Sequence, residues 1–151
     1  MPASPEAVFI VVAHDFRGMK TIKEELEDIP GTYVFTRDRC RQGLHLNMFF
    51  TSLLKAANRE EFLADEKKYL AKYPLTEEQR RCVLDRDWTG MLKLGANIYH
   101  MSKLGGTDHR SFQYMAGCMS GMSQEKYRAM MMAGGRSIEG NRSKTEEKTG
   151  E

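Results

Sequence analysis

The sequence predicts an all-α fold, a compact bundle of several short helices with flexible N- and C-terminal extensions. Apolar residues recur at helical spacing in several windows, and residues that favour helix caps stand just before them. No alternation of apolar and polar residues is long enough to predict a sheet. A chain of 151 residues, with 40% hydrophobic and 29% charged residues, has the length of one domain and the composition of a soluble globular protein.

The first predicted helix follows a turn at Pro30-Gly31 and a short extended stretch over 32–35. Thr36 is its predicted N-cap, because a threonine hydroxyl can accept a hydrogen bond from an unpaired amide of the first turn. We expect one long helix, since apolar residues recur at i, i+3, i+4, i+7 and i+8. These residues are Leu46, Phe49, Phe50, Leu53 and Leu54.

Two capping boxes mark the next helices. Asn58 followed by Glu61 predicts the start of a second helix, which ends at Pro74. Its predicted inward residues are Phe62, Leu63, Tyr69 and Leu70. Thr76 followed by Gln79 predicts a third helix, which continues through Cys82 and Val83.

The rest of the chain is predicted to be helical in pieces separated by glycines. Asp87 caps a short helix that carries Trp88, Met91 and Leu92 and stops at Gly95. A helix over 98–104 is expected to break at 105–108, and a shorter one over 112–116 is interrupted by Gly117 and Gly121. Ser123 caps the last helix, which Gly134-Gly135 closes.

Both ends of the chain are assigned to extensions. Residues 1–18 contain the apolar run 7–13, which is too short for a membrane helix and lacks the preceding basic residues of a signal peptide. Met19 is a plausible alternative start, so 1–18 is interpreted as an extension or a start-site artefact. The helical domain is predicted over 19–135, and 136–151 is a polar, flexible tail.

Charge and cysteine content exclude several classes of partner. A net charge of +2 gives no nucleic-acid footprint, and no segment predicts a membrane partner. The cysteines Cys40, Cys82 and Cys118 are odd in number and show no metal-binding spacing. We interpret them as reduced thiols of a cytoplasmic protein, with Cys118 a small buried side chain.

No motif in the sequence predicts a catalytic residue or a metal ligand. The histidines at 14, 45, 100 and 109 do not form a known ligand spacing, and the serines lack a nucleophile elbow. Asp85 and Asp87 are interpreted as solvated charges at helix ends. A long-range cluster of ligands stays open at this point, because ligands distant in sequence can converge in the fold.

The stretch 95–135 combines methionines with small residues and predicts a contact surface for a partner. Flexible thioether side chains adapt to irregular surfaces, and glycine lets a backbone approach closely. The predicted contact residues are Met115, Gly117, Met119, Gly121 and Met122, although plain turns explain the glycines equally well. Three consecutive methionines, Met130-Met131-Met132, cannot all face inward on one helix, so at least one is expected on the surface.

Ordered matches across residues 29–142 resemble the α subunit of protocatechuate 4,5-dioxygenases, the small chain of a two-subunit extradiol ring-cleaving enzyme. The first matches are Ile29-Pro30-Gly31-Thr32, Leu46-Asn47, Asn58-Arg59-Glu60 and Ala64-Asp65-Glu66. Further matches are Arg86-Asp87, Ser102-Lys103-Leu104 and Thr107-Asp108. The remaining block runs through Ser111-Phe112-Gln113, Ala116-Gly117 and Gly121-Met122 to Gly134-Gly135-Arg136-Ser137.

The resemblance implies a helical subunit that binds no metal itself and covers the active site of a larger β subunit. That β subunit would hold Fe(II), and two αβ units would form an α2β2 assembly acting on an aromatic dihydroxy acid with O₂. By motif matching, Ser111 and Phe112 would lie at the mouth of the substrate pocket and shape it.

Two histidines depart from the family pattern. His109 stands where the family has the glycine of Thr-Asp-Gly, and His100 stands where an aromatic or apolar residue is common. Either could donate a hydrogen bond at the pocket mouth, so the substrate could differ from protocatechuate. Ala96 replaces the second glycine of a Gly-Gly pair.

Two other functional classes stay open. One is a non-enzymatic helical interaction module that kept the fold and serves another partner. The other is a stand-alone metalloenzyme, which requires ligands that the sequence does not reveal.

Overall fold

The apolar face predicted around Phe49 forms the centre of the packing. In the computed structural model, which describes Glu24 and residues 32–136, the side chains of Leu46, Phe49, Phe50 and Leu53 are almost fully buried. The ring of Phe49 lies 5.3 Å from Phe62 and 6.2 Å from Tyr69, measured between centroids. Tilted and edge-on aromatic contacts of this kind stabilise a core beyond the area they bury.

The described residues form short helices and no strands, which confirms the all-α prediction. Their bounds are α1 Arg37–Gln42, α2 Leu44–Ser52, α3 Ala56–Ala64, α4 Glu66–Leu70, α5 Glu77–Leu84, α6 Trp88–Lys93, α7 Ile98–Thr107, α8 Phe112–Met119 and α9 Gln124–Met132. The predicted extension 1–18, the turn at Pro30-Gly31 and the tail after Arg136 lie outside the described residues.

Four of the predicted caps are confirmed. The Thr36 hydroxyl accepts from the amide of Arg39, and Thr76 and Gln79 form a reciprocal capping box. Asp87 accepts from the amide of Gly90, and Ser123 accepts from that of Lys126. These caps were predictable because each satisfies local backbone donors and needs no distant partner.

The Asn58 cap is wrong, and the two long helices are divided. Helix α3 begins at Ala56, and the Asn58 side chain donates instead to the carbonyl of Ser52, at 2.8 Å. Asp65 accepts from the amide of Lys68 and starts α4, so the second helix divides there and ends at Leu70, before Pro74. The first helix divides at Gly43, where the backbone of Gly95 approaches.

Two glycine breaks predicted in the C-terminal third are also wrong. Helix α7 continues through Gly105, where the absence of a Cβ leaves room for the Met115 side chain. A Cβ at this position would lie only 2.3 Å from the Met115 sulfur. Helix α8 continues through Gly117, which packs beneath the carbonyl of Met122. In both places glycine serves close packing inside a helix.

Several burial predictions are corrected or confirmed. Leu54 and Leu63 are exposed, which corrects their predicted inward positions. Leu54 lies in the turn that follows α2, whereas Leu63 lies in α3 beside the buried Phe62. Cys118 is exposed as well, so its predicted burial is wrong. The exposed positions of Asp85 and Asp87 at helix ends are confirmed.

The buried Cys82 thiol predicts slow alkylation of the folded chain. Burial raises its pKa, and the nearby Asp87 carboxylate raises it further, because both disfavour the thiolate. At pH 8, N-ethylmaleimide should therefore modify Cys82 at least tenfold more slowly than exposed Cys118. Mass spectrometry of quenched samples measures both rates, and a urea-unfolded sample, in which the two should converge, is the control.

The raised pKa of Cys82 also determines how the stability of the fold changes with pH. The protonated thiol is favoured in the folded state, so its contribution to stability is fully present below the unfolded thiol pKa of about 8.5 and is lost as the pH rises through the folded value. The free energy of unfolding of the Cys82→Ala variant should therefore fall less between pH 8 and 10 than that of the parent. An identical pH slope for both proteins would contradict this assignment.

Candidate functional site: the segment between α7 and α8

The residues predicted at the pocket mouth lie mainly on the segment that joins α7 to α8. Asp108 ends α7, and the Ser111 hydroxyl accepts from the amide of Tyr114 to start α8. Phe112 is the first residue of α8, and 57% of it is exposed. A serine cap beside an outward-facing aromatic ring gives a rigid apolar rim, supported by helices on both sides.

His109 lies in this segment with a left-handed backbone, at φ 55°. This conformation favours glycine, because a side chain crowds the carbonyl that follows it. Its amide donates to the carbonyl of Gly106, and the next amide, of Arg110, donates to Gly105, which closes the end of α7. The structure therefore gives a backbone reason for the glycine that the family pattern has at this position.

Arg86 fixes the start of the segment. Its guanidinium makes a bidentate pair with Asp108, at 2.6 and 3.0 Å, and a second bidentate pair with Glu66, at 2.6 and 2.9 Å. It also stacks over the ring of Phe62, 5.6 Å from the centroid. Three separate parts of the chain, at Glu66, Arg86 and Asp108, are thereby held together.

The Arg86 guanidinium stays charged in this position. Burial alone would lower the pKa of Arg86, but the hydrogen bonds and charges of Glu66 and Asp108 outweigh it and raise that pKa above its usual range. The three side chains are 24%, 28% and 16% exposed, so water screens the pairs only in part. Sequence reasoning missed this network, because its members are 20 and 22 residues apart.

A cavity of about 460 Å³ lies beside the segment. Its walls are Leu63, Glu66, Leu84, Arg86, Trp88, Thr107, Asp108, His109, Arg110 and Tyr114. The Arg110 guanidinium lies 4.7 Å from the centre of the Tyr114 ring. The cavity therefore combines apolar side chains with two arginines and two carboxylates next to the predicted mouth residues.

His100 is not brought together with the other predicted mouth residues. It lies in the first turn of α7, whereas His109 follows the last, and a ten-residue helix is about 15 Å long. One ring nitrogen, Nδ1, lies 2.9 Å from the Thr51 hydroxyl oxygen. His100 therefore belongs to a different surface, where α2 meets α7.

That surface is a groove of about 660 Å³, which the sequence reasoning missed. Its walls are Phe35, Cys40, Leu44, Asn47, Met48, Thr51, Ser52, Leu54, Lys55, Asn58, Asn97 and His100. A signal was present, because Leu44 and Met48 are four residues apart and so share one side of α2. The stronger repeat of Leu46, Phe49 and Phe50 on the other side hid it.

The residues predicted to contact a partner divide into two groups. Met115 and Gly117 are buried within the chain, where Met115 packs against Gly105, so they act as packing residues here. Gly121 is exposed with φ 66°, and Met119 and Met122 are partly exposed. The interface prediction therefore concerns Met119, Gly121 and Met122.

Helix α9 leaves methionines on the surface, as its sequence predicts. None of its residues is buried, and its packing is mainly against α8. Met131 and Met132 are 51% and 82% exposed. This exposed apolar surface lies at the end of the described chain.

Two classes of feature are missing from the described part of the chain. Residues 32–136 contain no group of three or more His, Cys, Asp or Glu side chains that could hold a metal ion. Among the helices described, none is long and apolar enough to cross a membrane.

Comparison with known families defines the class of protein. Residues 46–132 of this helical chain match the family model described as the LigA subunit of the aromatic-ring-opening dioxygenase LigAB. The match runs from α2 to the last residue of α9 and includes the whole segment between α7 and α8. The chain therefore belongs to the LigA family of aromatic-ring-opening dioxygenase subunits.

One curated protein is similar in sequence to this chain. The chain is 29% identical over 101 residues to gallate dioxygenase of Pseudomonas putida. The aligned region is 67% of this chain and 30% of that relative. The chain thus spans less than a third of the length of the curated protein that it resembles.

Proposed function

We propose that this chain is the α subunit of a cytoplasmic extradiol dioxygenase that opens protocatechuate or a related catecholic acid with O₂. In this proposal the chain is a lid over the active site of a separate β subunit, which holds Fe(II), and two such pairs form an α2β2 assembly. The observation that carries the proposal is the family match over residues 46–132.

The relative supports the proposed class of substrate. Its name gives gallate, a catecholic acid, as the compound on which it acts. We propose that the groups that bind and activate the substrate belong to the β subunit.

The lid role is consistent with the geometry of the segment between α7 and α8. An exposed phenylalanine facing a partner's pocket excludes water, which protects reactive intermediates and strengthens electrostatic interactions inside the pocket. Phe112 and Ser111 are the proposed mouth residues, and the pairing of Arg86 with Asp108 holds their segment in place. His109 remains in the proposed mouth, whereas His100 lies in the groove near α2.

The direct experiment is co-expression with a larger dioxygenase β chain encoded beside this gene. We expect a stable complex that contains equal numbers of both chains. When the two chains are separated, the iron should remain bound to the β chain. Oxygen uptake with protocatechuate, gallate and other catechols then identifies the substrate. A chain that stays monomeric and binds no β chain would instead favour the non-enzymatic interaction module, for which the 660 Å³ groove is a candidate surface.

Truncation of Phe112 should change substrate handling without loss of iron. In the assembled enzyme, Phe112→Ala removes apolar surface at the mouth, and we expect kcat/KM to fall roughly tenfold, mainly through KM. Tyr99→Ala, which truncates another exposed aromatic residue, is the matched control and should change kcat/KM less than about twofold. Iron loss with unchanged kinetics per iron would contradict the proposed role of Phe112.

A further inference from the structure

The groove beside α2 has the size and the apolar walls of a small-molecule site. Its volume is about 660 Å³, and ligand sites are commonly concave, mostly apolar surfaces of about 300–1,000 Å³. The apolar residues that line it are half exposed, and they are Phe35, Leu44, Met48 and Leu54. A phenyl ring and a thioether in one wall favour an aromatic ligand, because sulfur and aromatic rings attract one another.

The hydrogen bonds of Thr51 determine which nitrogen of His100 carries a proton. The Thr51 hydroxyl has a single hydrogen, which it donates to the carbonyl of Asn47, at 2.8 Å. At its contact with His100 Nδ1, 2.9 Å away, the Thr51 oxygen must therefore accept, so Nδ1 carries the proton. In the neutral ring, Nε2 is then left as an acceptor. His100 can therefore accept a hydrogen bond from a hydroxyl group of a ligand in the groove.

Lys55 contributes a positive charge to the same groove. Its side chain is exposed, and no carboxylate of the described residues forms an ion pair with it. The groove walls contain no Asp or Glu within the described part of the chain. Hydrogen bonds between an ammonium group and a carboxylate are stronger than those between neutral groups. The charge of the groove is therefore complementary to an anionic ligand.

We propose that the groove beside α2 binds a phenolic carboxylate, which is an aromatic ring with a hydroxyl and a carboxylate group. The ring packs among the apolar side chains, the hydroxyl donates to His100 Nε2, and the carboxylate accepts from the Lys55 ammonium group. This proposal concerns the chain by itself and does not depend on the proposed dioxygenase function. Binding is therefore tested without a β chain, and its failure would leave the proposed lid role unchanged.

Nuclear magnetic resonance of the isotope-labelled full chain tests the site residue by residue. The probes are 3-hydroxybenzoate and 4-hydroxybenzoate, which lack the adjacent pair of hydroxyls on which the proposed dioxygenase acts. Titration should shift the amide signals of groove residues such as Met48, Thr51 and His100. For the isomer that binds more tightly, we expect a Kd below about 1 mM, which is reasonable for a ligand of this size.

Two variants each remove one polar contact, and each is compared on a ligand that lacks the matching group. Lys55→Met should weaken binding of the hydroxybenzoate about tenfold but that of phenol less than about twofold. His100→Phe should weaken binding of the hydroxybenzoate about tenfold but that of benzoate less than about twofold. Lys103→Met and His45→Phe, at exposed positions outside the groove walls, are the matched controls and should leave every Kd unchanged.

Groove shifts that weaken selectively in the two variants, while the remaining amide signals keep their parent positions, support the proposal. The absence of shifts at about 10 mM ligand would overturn it, as would equal losses for the hydroxybenzoate and its matched ligand. Shifts confined to residues 109–114 would place the ligand at the segment between α7 and α8 and also overturn it. Groove signals that move with protein concentration alone would assign the groove to a second copy of the chain, which contradicts the proposal.

Discussion

Replacement of Gly43 by alanine should lower the free energy of unfolding by about 3 kcal/mol or more, from steric overlap and lost hydrogen bonds. A Cβ at this position would lie 1.9 Å from the carbonyl oxygen of Gly95 and 2.3 Å from its carbonyl carbon. Both are backbone atoms, so no side-chain rotation can relieve the overlap. The segments between α1 and α2 and after α6 must therefore separate.

Separation would break the contacts that join these segments. Asn47 donates from its side-chain amide to the carbonyl of Gly95, at 2.9 Å, and accepts from the amide of Asn97, at 2.8 Å. Buried Gln79 donates to the carbonyls of Gln42 and Leu94. Each such bond contributes about 1 kcal/mol, and a donor left unpaired in the interior costs more.

Gly106→Ala is the matched control, because it also adds a methyl group to a glycine. Gly106 lies inside α7, and no heavy atom stands within 4 Å of the position of its Cβ. Alanine should therefore stabilise the chain, by about 0.5–1 kcal/mol, since it favours the helical backbone. Urea unfolding followed by circular dichroism measures both changes, and a Gly43→Ala variant as stable as the parent would refute the close approach of Gly43 and Gly95.

Removal of the Arg86 guanidinium should produce the second large effect. Arg86→Met keeps an apolar side chain against Phe62 but leaves Glu66 and Asp108 without their cation. Breaking a buried ion pair on one side costs about 3–5 kcal/mol, and the partial exposure here reduces the expected loss to about 2–3 kcal/mol. The midpoint temperature of thermal unfolding should fall by roughly 5–10 °C.

Lys72→Met is the control for the loss of a cation. Lys72 pairs with Glu61 at the surface, where both side chains are about half exposed, so its loss should cost no more than about 1 kcal/mol. Arg86→Met should also loosen the segment after Asp108, which hydrogen exchange at the amides of His109 and Arg110 would report. Similar stability losses in the two variants would show that the Arg86 network contributes no more than a surface pair.

Local interactions account for the parts of the fold that the sequence predicts. The N-caps each accept a hydrogen bond from the amide three residues further along the chain; they are Thr36, Thr76, Asp87 and Ser123. The face around Phe49 was predictable because helical periodicity is itself a local signal. The all-α class follows from these features together.

Long-range packing accounts for the parts that the sequence does not predict. The sequence predicts a helix break at Gly105, because it does not show that Met115 packs there. It predicts an ordinary helical position at Gly43, because it does not show the contact with the Gly95 backbone. The groove beside α2 arises from segments separated by about 50 residues, among them Met48 and His100. Such contacts carry no fixed spacing in one sequence.

For the candidate site, too, the sequence predicts the local arrangement but not the long-range packing. Ser111, Phe112 and His109 lie together because they are adjacent in sequence, and any fold would keep them close. His100 was grouped with them by motif resemblance alone, and the length of α7 separates it. Met115 and Gly117 read as contact residues by composition, whereas packing against Gly105 and Met122 places them inside the chain.

Oxygen consumption by the separated and recombined subunits tests the central claim most directly. The chain alone, supplied with ferrous iron and protocatechuate or gallate, should consume no oxygen above the background of free iron. Addition of the purified β chain should give ring cleavage that saturates at one α chain per β chain. Sustained ring cleavage by the isolated chain would contradict its role as the lid of a partner's active site.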